Sequence, residues 1–246
     1  MGAPFFRFKQ FTVWHDRCAM KVGTDGVLLG AWCPLPTHTR AGASMRVLDI
    51  GTGSGLIALM LAQRLHEKSK NYQIIGIDID PIAVEQSKNN FEQSPWHSHL
   101  RSEVCRLQEF QSSEKFALIV SNPPYFQNSL KNPNDARAAA RHTDSLSYHD
   151  LVGYSANLLT ENGILALVLP AEAEKDIIEL SILHHLQLTE IIYVHPKEGK
   201  AIKRILISFR KSKDAPLEPI SKHFYIESSD SPRSKEYQEI TKDFYL

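Results

Sequence analysis

Short apolar runs alternate with helix-like spacing of apolar residues between about residue 45 and residue 169. Residues 46–50 form the first run, and Leu56, Ile57, Leu59 and Met60 then recur at the spacing of a helix face. A strand followed by a helix and a further strand is the repeating unit of a parallel sheet. The pattern therefore predicts a doubly wound α/β fold with a mostly parallel sheet.

The same pattern gives the expected elements along the whole chain. Seven strands are predicted, over residues 46–50, 73–79, 103–107, 116–121, 163–169, 189–194 and 202–209. Helices are predicted after residue 55, over residues 82–91, from residue 147 to about 159, and over 173–184. Asp80 with Pro81, and Ser147 with Asp150, are typical starts for two of these helices.

A glycine turn joins the first strand to the first helix of this unit. Gly51, Gly53 and Gly55 lie in it, and such a turn lets the backbone approach a ligand closely. Asp78, at the end of the second strand, is placed to accept hydrogen bonds from ribose hydroxyls. A nicotinamide cofactor would require a third glycine where Leu56 stands, so a different nucleoside cofactor is favoured, although a purely structural turn stays open.

The fourth predicted strand ends at Asn122-Pro123-Pro124-Tyr125. An amino group on an aromatic ring is a poor nucleophile, because its lone pair is delocalised into the ring. The Asn122 side-chain oxygen and the Pro123 carbonyl could bind both N–H groups, while Tyr125 stacks on the base. The segment thus predicts methylation of a flat amine by preorganisation, and a plain proline turn with a surface tyrosine is the alternative.

Composition narrows the class of protein and gives no function. The 28 basic and 28 acidic residues cancel, so any nucleic-acid binding must come from a local patch. Three widely spaced cysteines without a C-x-x-C pair argue against a disulfide framework or a zinc site, and the histidines lack partners at ligand spacing. Neither a signal peptide nor a membrane span is expected, and no metal is required, so a cytoplasmic location fits.

Together these motifs resemble the amino-methyltransferases that carry an N-P-P-Y motif, within class I. More narrowly, the chain resembles the bacterial tRNA1(Val) adenine-37 N6-methyltransferase family. The likeness includes the opening at residues 8–11 and 20–26, the segment 196–200 with Lys203 and Arg204, and the ending at 241–246. It implies S-adenosyl-L-methionine as cofactor, tRNA as partner, and no obligate protein partner.

The resemblance also implies site residues. Lys21, Thr24 and Asp25 would border the carboxylate end of the cofactor, Asp49 would face its methionine part, and Glu109 with Phe110 would bracket its adenine. The expected catalytic residues are Asn122, Pro123, Pro124 and Tyr125. The expected cofactor-binding residues are Lys21, Thr24, Asp25, Asp49, Gly51, Thr52, Gly53, Gly55, Asp78, Ile79, Glu109, Phe110 and Asn122. A solvated acid at Glu109 and a simple helix cap at Thr24 are the alternatives.

Basic residues concentrate near the end of the predicted sheet. Seven lysines and arginines between His195 and Lys213 stand against Glu198 alone, and a hairpin there could hold phosphates. Arg137 and Arg141 follow the N-P-P-Y segment and could meet RNA, although a solvated loop is the alternative. The residues predicted to bind RNA are Arg137, Arg141, Lys197, Lys200, Lys203 and Arg204.

The expected organisation is a cofactor-covering segment at 1–45, a methyltransferase domain at 46–211, and an extension at 212–246 packed on the same domain. Within enzymes, methylation of a release-factor glutamine and of a guanine N2 in rRNA are the rivals, because the same acceptors fit those amines. The glutamine methyltransferases normally carry a helical domain before the glycine turn, which about 45 residues do not supply here. An RNA chaperone that binds the cofactor without catalysis is the rival from another class.

Overall fold

The structure, a computed structural model, describes residues 3–36, 44–69, 71–124, 146–214 and 218–246. The strands are β1 (Phe5–Arg7), β2 (Thr12–Trp14), β3 (Met45–Ile50), β4 (Tyr72–Asp78), β5 (Leu100–Val104), β6 (Phe116–Ser121), β7 (Leu159–Pro170), β8 (Leu186–Lys197), β9 (Arg204–Lys211) and β10 (Ile220–Glu227). The helices are α1 (Thr24–Trp32), α2 (Leu56–Lys68), α3 (Pro81–Glu92), α4 (Tyr148–Leu158), α5 (Glu174–Leu183) and α6 (Lys235–Thr241). Single 3₁₀ turns lie at His97–His99, Leu107–Glu109 and Ala171–Ala173.

The molecule is built around one large sheet with strand order β10-β8-β9-β7-β6-β3-β4-β5. Neighbouring strands pair in parallel except at β9, which runs antiparallel to both β7 and β8. The predicted doubly wound α/β fold is therefore confirmed.

The predicted seven strands are present, and β10 adds an eighth beside β8. This strand was not predicted because it has only one neighbour in the sheet. Its side chains are mostly exposed, with Phe224 as its buried residue, so it lacks the apolar run of a central strand.

Helices cover both faces of the sheet, and each face has its own hydrophobic core. Strand β3 is buried at all six positions, and alternate residues serve the two cores: Val47 packs into one and Leu48 into the other. Burial on both faces explains why this strand reads as a continuous apolar run rather than an alternating one.

The predicted helix starts are confirmed in atomic detail. The side chain of Asp80 accepts a hydrogen bond from the Ile82 backbone N–H, and that of Ser147 accepts one from the Asp150 N–H. Each bond satisfies a backbone donor that the first turn of a helix leaves unpaired.

The third strand was placed three residues too late. The prediction was residues 103–107, whereas β5 spans Leu100–Val104, with its pairing set by Ile74 opposite Leu100 and Asp78 opposite Val104. Arg101 and Glu103 lie on the exposed side of this edge strand and interrupt the apolar signal, and Leu107 begins a 3₁₀ turn instead. That turn lies on the side of the sheet where the candidate site forms.

The N-terminal hairpin β1–β2 is fastened to the C-terminal residues. The backbone N–H of Lys9 donates to the carbonyl of Phe244 at 2.8 Å, and Gln63 Nε2 donates to the carbonyl of Asp243 at 2.9 Å. The rings of Phe8 and Tyr245 stack with centroids 5.9 Å apart. The two ends of the chain thus hold each other in place.

Candidate functional site

The site forms where β3 and β6 end side by side. In the pairing of these parallel strands, Ile50 lies opposite Ser121, and Ser121 Oγ donates to the Ile50 carbonyl at 2.8 Å. The next residues of the two strands are Gly51 and Asn122, so the glycine turn and the Asn-Pro-Pro segment leave the sheet at the same edge. Carboxyl ends of parallel strands are where doubly wound proteins bind ligands.

The glycine turn is held in a left-handed conformation by backbone hydrogen bonds. Gly51, Gly53 and Gly55 have φ values of 71°, 53° and 80°. The N–H groups of Gly51 and Thr52 donate to the Ile77 carbonyl at 2.8 and 3.0 Å, while the Gly53 N–H donates to Asp78 Oδ2 at 2.9 Å. The turn and the end of β4 therefore form one rigid unit.

A cavity of about 580 Å³ opens in front of this turn. Nine of the thirteen residues predicted to bind the cofactor line it. They are Lys21, Thr24, Asp25, Gly51, Thr52, Gly53, Asp78, Ile79 and Asn122. The volume is within the range of small-molecule and cofactor sites, and the lining combines apolar surface with a few convergent polar groups.

The Asn-Pro-Pro segment reaches the cavity through its first and third residues. Asn122 and Pro124 line the cavity, whereas Pro123 is buried behind them. Asn122 is partly buried, and its Nδ2 lies 4.0 Å from the sulfur of Met20 in the N-terminal segment. Tyr125 lies outside the described residues, so its predicted stacking role stays a prediction.

Four predicted cofactor residues do not line the cavity. Gly55 is the N-cap residue of α2 and packs against Phe91, with φ +80° and no room for a Cβ. Glu109 ends the 3₁₀ turn, and Phe110 follows it and is buried in the core. Their place at the wall is taken by Leu107 and Gln108, because the strand before them ends earlier than predicted.

Asp49 is the fourth of these, and it is buried behind the turn. It is fully inaccessible to solvent, and its Oδ2 accepts a hydrogen bond from Thr52 Oγ1 at 2.7 Å. Burial raises the pKa of the Asp49 carboxyl to about 7, although the Thr52 hydrogen bond opposes the shift. The structure therefore shows Asp49 bracing the glycine turn from behind.

Several wall residues were not among the predicted site residues, although residues 20–26 were expected in the segment that covers the cofactor. These wall residues are Cys18, Ala19, Met20, Gly23, Gly26, Ile50, Ser54, Leu56, Ile57, Ile77, Asp80, Ala83, Cys105, Arg106, Leu107, Gln108 and Leu146. Cys105, Arg106, Leu107 and Gln108 follow directly on the end of β5, which was the available signal once this strand is placed correctly. Burial, followed by the nearby charges of Asp78, Asp80 and Asp16, raises the pKa of the Cys18 thiol to about 11, so this thiol stays protonated at neutral pH.

The residues predicted to bind RNA fall into three groups. Arg204 Nε lies 3.0 Å from Asp25 Oδ2, so this arginine is an ion-pair partner of the cavity wall. Lys197, Lys200 and Lys203 lie in and beside the turn between β8 and β9. Arg137 and Arg141 lie outside the described residues.

Part of the basic cluster has a structural task. Lys211 Nζ donates to the Ala156 and Leu159 carbonyls at 2.6 and 3.2 Å, at the end of α4, where such carbonyls lack helix partners. Burial lowers the pKa of Lys211. This lysine is therefore not available for phosphates in the described conformation.

The described residues contain no group of three or more His, Cys, Asp or Glu side chains arranged to hold a metal ion. In the same ranges, no helix is both long and apolar enough to cross a membrane.

The fold, the glycine turn and the Asn-Pro-Pro segment together indicate the class of protein. The methyltransferase small domain family model matches residues 34–190. A crystal structure of a predicted O-methyltransferase from Agrobacterium tumefaciens superposes with a TM-score of 0.68 at 15% identity, covering 89% of this chain and 96% of that one. A class I S-adenosylmethionine-dependent methyltransferase structure from Listeria monocytogenes gives a TM-score of 0.58 at 12% identity, covering 87% and 65%. These likenesses establish a class I methyltransferase fold.

Curated relatives narrow the class to a family. The chain is 44% identical to the tRNA1(Val) (adenine(37)-N6)-methyltransferase of Phocaeicola vulgatus, covering 100% of this chain and 99% of the relative. Its counterpart in Bacteroides thetaiotaomicron is 42% identical over 100% and 99%, and that of Actinobacillus succinogenes is 42% identical over 98% and 97%. This chain belongs to that family.

Proposed function

We propose that this protein transfers a methyl group from S-adenosyl-L-methionine to N6 of adenine 37 in the anticodon loop of tRNA1(Val). One observation carries the proposal: Ile50 and Ser121 pair directly, which brings the glycine turn and the amine-holding Asn-Pro-Pro segment to one cavity. The names of the full-length relatives support the choice of tRNA and of the adenine.

The residues of the cavity fit the cofactor. A Cβ on Gly51 or Gly53 would meet nothing within 4 Å, so both glycines border open space into which a ligand fits against bare backbone. Asp78 ends β4, and its two carboxylate oxygens accept the N–H groups of Gly53 and Asp80, which fixes the acid where a ribose diol would meet it. When bound, S-adenosyl-L-methionine supplies an electrophilic methyl group on a sulfonium centre.

The chain's own task is to hold and aim the amine. The Asn122 side-chain oxygen and the Pro123 carbonyl would accept the two N–H groups of the adenine, which makes the nitrogen pyramidal and withdraws its lone pair from conjugation with the ring. Burial of Pro123 and the end of β6 behind it keep these acceptors rigid. Preorganised acceptors act without rearrangement at the moment of reaction, and no covalent enzyme intermediate is needed.

The N-terminal residues would close the site. Residues 18–26 supply much of the wall opposite the glycine turn, and Met20 lies beside Asn122. We therefore assign residues 1–45 to a cofactor-covering segment, 46–211 to the methyltransferase domain and 212–246 to an extension packed on it. A tRNA substrate and three free cysteines favour the cytoplasm as the location.

The test is methyl transfer to defined RNA. Purified protein is incubated with labelled S-adenosyl-L-methionine and a tRNA1(Val) transcript, and the nucleosides are identified by mass spectrometry. We expect N6-methyladenosine in the wild-type transcript and none in a transcript with guanine at position 37. Methylation of a release factor or of rRNA guanine instead would overturn the proposed substrate, and cofactor binding without any product would indicate the non-catalytic alternative.

A further inference from the structure

Four rings stand together on one face of the sheet at its β8–β10 edge. Side chains two residues apart on a strand share a face, so Tyr193 and His195 point the same way, as do His223 and Tyr225. The pairing of β8 with β10 places Tyr193 opposite His223 and His195 opposite Tyr225. We refer to these four side chains as the edge stack.

The rings form a continuous series. Their centroids are 5.3 Å apart from Tyr193 to His223, 5.1 Å from His223 to His195 and 4.8 Å from His195 to Tyr225. The interplanar angles are 30°, 36° and 22°, so the two outer contacts are stacked and the central contact between the histidines is tilted. Such distances are those of offset aromatic stacking. The series resembles a short column of stacked bases, and Tyr225 is its last ring on the β10 side.

Hydrogen bonds hold the edge stack in this arrangement. His195 Nδ1 lies 2.8 Å from the Lys200 carbonyl, which only accepts, so Nδ1 carries a proton. His195 Nε2 lies 2.8 Å from His223 Nδ1, and the hydroxyl of Tyr193 donates to Glu174 at 2.7 Å. Rings that are already fixed lose little conformational entropy when a ligand stacks on them.

The edge stack is not what attaches β10 to the sheet. The ladder to β8 and the opposite face of the strand do that, because Phe224 is buried there and packs near Tyr237 with ring centroids 6.4 Å apart. His223 is exposed, and Tyr225 is half-buried. These two rings therefore keep accessible surface that attachment of the strand does not use.

The position of the edge stack suits the substrate. Val194 pairs with Arg204, which pairs with Pro170 at the end of β7, so the stack lies at the same edge of the sheet as Asn122. Four strand spacings separate β6 from β10, the strand that carries Tyr225, which is about 19 Å at the usual distance between strands. A base held there would be a few nucleotides from the base at Asn122.

Positive charge lies beside the edge stack. Lys197 ends β8, and Lys200 and Lys203 are exposed in the turn that follows. The carbonyl of Lys200 is the one that fixes His195, so the basic turn and the rings are one structure. Lysines next to stacking rings are the combination used to bind single-stranded nucleic acid.

We propose that the edge stack binds an unpaired base of the substrate RNA by extending its column at Tyr225, with the lysines of the β8–β9 turn on the neighbouring phosphates. This inference rests on the proposed function, since it assumes an RNA substrate. It adds a recognition surface outside the cofactor cavity and the Asn-Pro-Pro segment.

The test compares Tyr225→Leu with Tyr225→Phe, which keeps the ring. Binding of the tRNA1(Val) transcript is measured by fluorescence anisotropy over a range of salt concentrations, together with the affinity for S-adenosylhomocysteine. Loss of one base stack should raise the Kd for tRNA about 5- to 150-fold in Tyr225→Leu, and Tyr225→Phe should stay within about twofold. Because stacking is not ionic, the salt slope should stay unchanged, whereas a Lys197, Lys200 and Lys203 triple alanine variant should lower it.

A tRNA Kd for Tyr225→Leu within about twofold of wild type would overturn the inference. If that variant does not fold, photocrosslinking of wild-type protein to 4-thiouridine-substituted tRNA decides: crosslinks should map to residues 220–227, and crosslinks only elsewhere would contradict the edge stack. Failure of the proposed function looks different, since wild-type protein would then bind S-adenosylhomocysteine but neither bind nor methylate the transcript.

Discussion

Asp25 and Arg204 form an ion pair across the rim of the cofactor cavity, with Arg204 Nε 3.0 Å from Asp25 Oδ2. Their side chains are only 25% and 30% exposed, so water screens the pair less than a surface pair. Asp25 lies in the first turn of α1 and Arg204 starts β9, and the pair therefore ties the covering segment to the sheet.

This pairing predicts that Arg204 acts on the cofactor more than on RNA. Arg204→Ala should weaken S-adenosylhomocysteine binding about three- to tenfold, because Asp25 loses the partner that positions it. Titration calorimetry measures the change, and Lys200→Ala, which removes a charge from the adjacent turn, should leave this affinity unaltered. If Arg204→Ala instead leaves the cofactor affinity unchanged and lowers the salt slope of tRNA binding, Arg204 contacts RNA, as the sequence predicted.

Two glycines of the turn should respond differently to alanine. Gly51 and Gly55 both have positive φ, but a Cβ on Gly55 would lie 2.4 Å from the Phe91 ring, whereas one on Gly51 meets nothing within 4 Å. Gly55→Ala should therefore cost about 3 kcal/mol or more of unfolding free energy, and Gly51→Ala about 1–2 kcal/mol. Urea denaturation measures both.

For binding of S-adenosylhomocysteine we expect the opposite order, with the larger effect from Gly51→Ala. A methyl group on Gly51 would occupy the open space of the cavity, so Gly51→Ala should weaken S-adenosylhomocysteine binding more than its small effect on stability suggests. Equal stability losses in the two variants would contradict the described packing of the turn.

Asp49 should make stability fall with pH. Burial raises its pKa from 3.8 to about 7, so the folded state binds a proton that the unfolded chain releases between these values. The contribution is fully present below pH 4 and is lost as the pH rises to about 7. Asp49→Asn removes the titration, so its gain in unfolding free energy over wild type should be larger at pH 8 than at pH 5, by up to about 3 kcal/mol.

Thermal or urea unfolding of wild type and Asp49→Asn at the two pH values measures that difference. Thr52→Val serves as a comparison, because it removes the hydroxyl that bonds to Asp49 and leaves the carboxyl in place. An Asp49→Asn effect that is the same at both pH values would show that Asp49 does not carry a raised pKa.

The contact between the chain ends should support the cofactor site. Phe244 is 2% exposed, and its carbonyl accepts from the Lys9 N–H. Phe244→Ala should lower the unfolding free energy by about 3–5 kcal/mol and raise the KM for S-adenosyl-L-methionine, because the N-terminal residues that line the cavity lose support. Leu246→Ala is the matched control, because this residue is 82% exposed. An unchanged KM in a folded Phe244→Ala variant would show that the contact between the chain ends does not support the cofactor site.

The central sheet and the glycine turn could be predicted because buried parallel strands leave continuous apolar runs that glycine and proline end sharply. Strand β6 is such a case, closed by Asn122-Pro123-Pro124. Edge strands carry a weaker signal: the prediction for β5 was displaced because the polar Arg101 and Glu103 interrupt its apolar pattern, and β10 was not predicted.

The bonding partners of individual side chains could not be predicted from the sequence, for a different reason. The ion pair of Arg204 with Asp25 joins residues 179 positions apart, and a run of basic residues does not reveal which members are already bonded within the protein. Likewise, the position of Asp49 before the glycine turn does not tell whether its carboxylate faces the cavity or the core. Both answers depend on how the elements pack.

The turnover of Asn122→Ala on the tRNA1(Val) transcript tests the proposed mechanism most directly. The S-adenosylhomocysteine affinity is measured on the same preparation. The side-chain oxygen of Asn122 is one of the two acceptors that aim the amine, so kcat should fall at least about 100-fold while the cofactor affinity stays nearly unchanged. Asn122→Asp keeps an acceptor oxygen and should retain more activity than Asn122→Ala. Full turnover in Asn122→Ala would contradict the proposed mechanism.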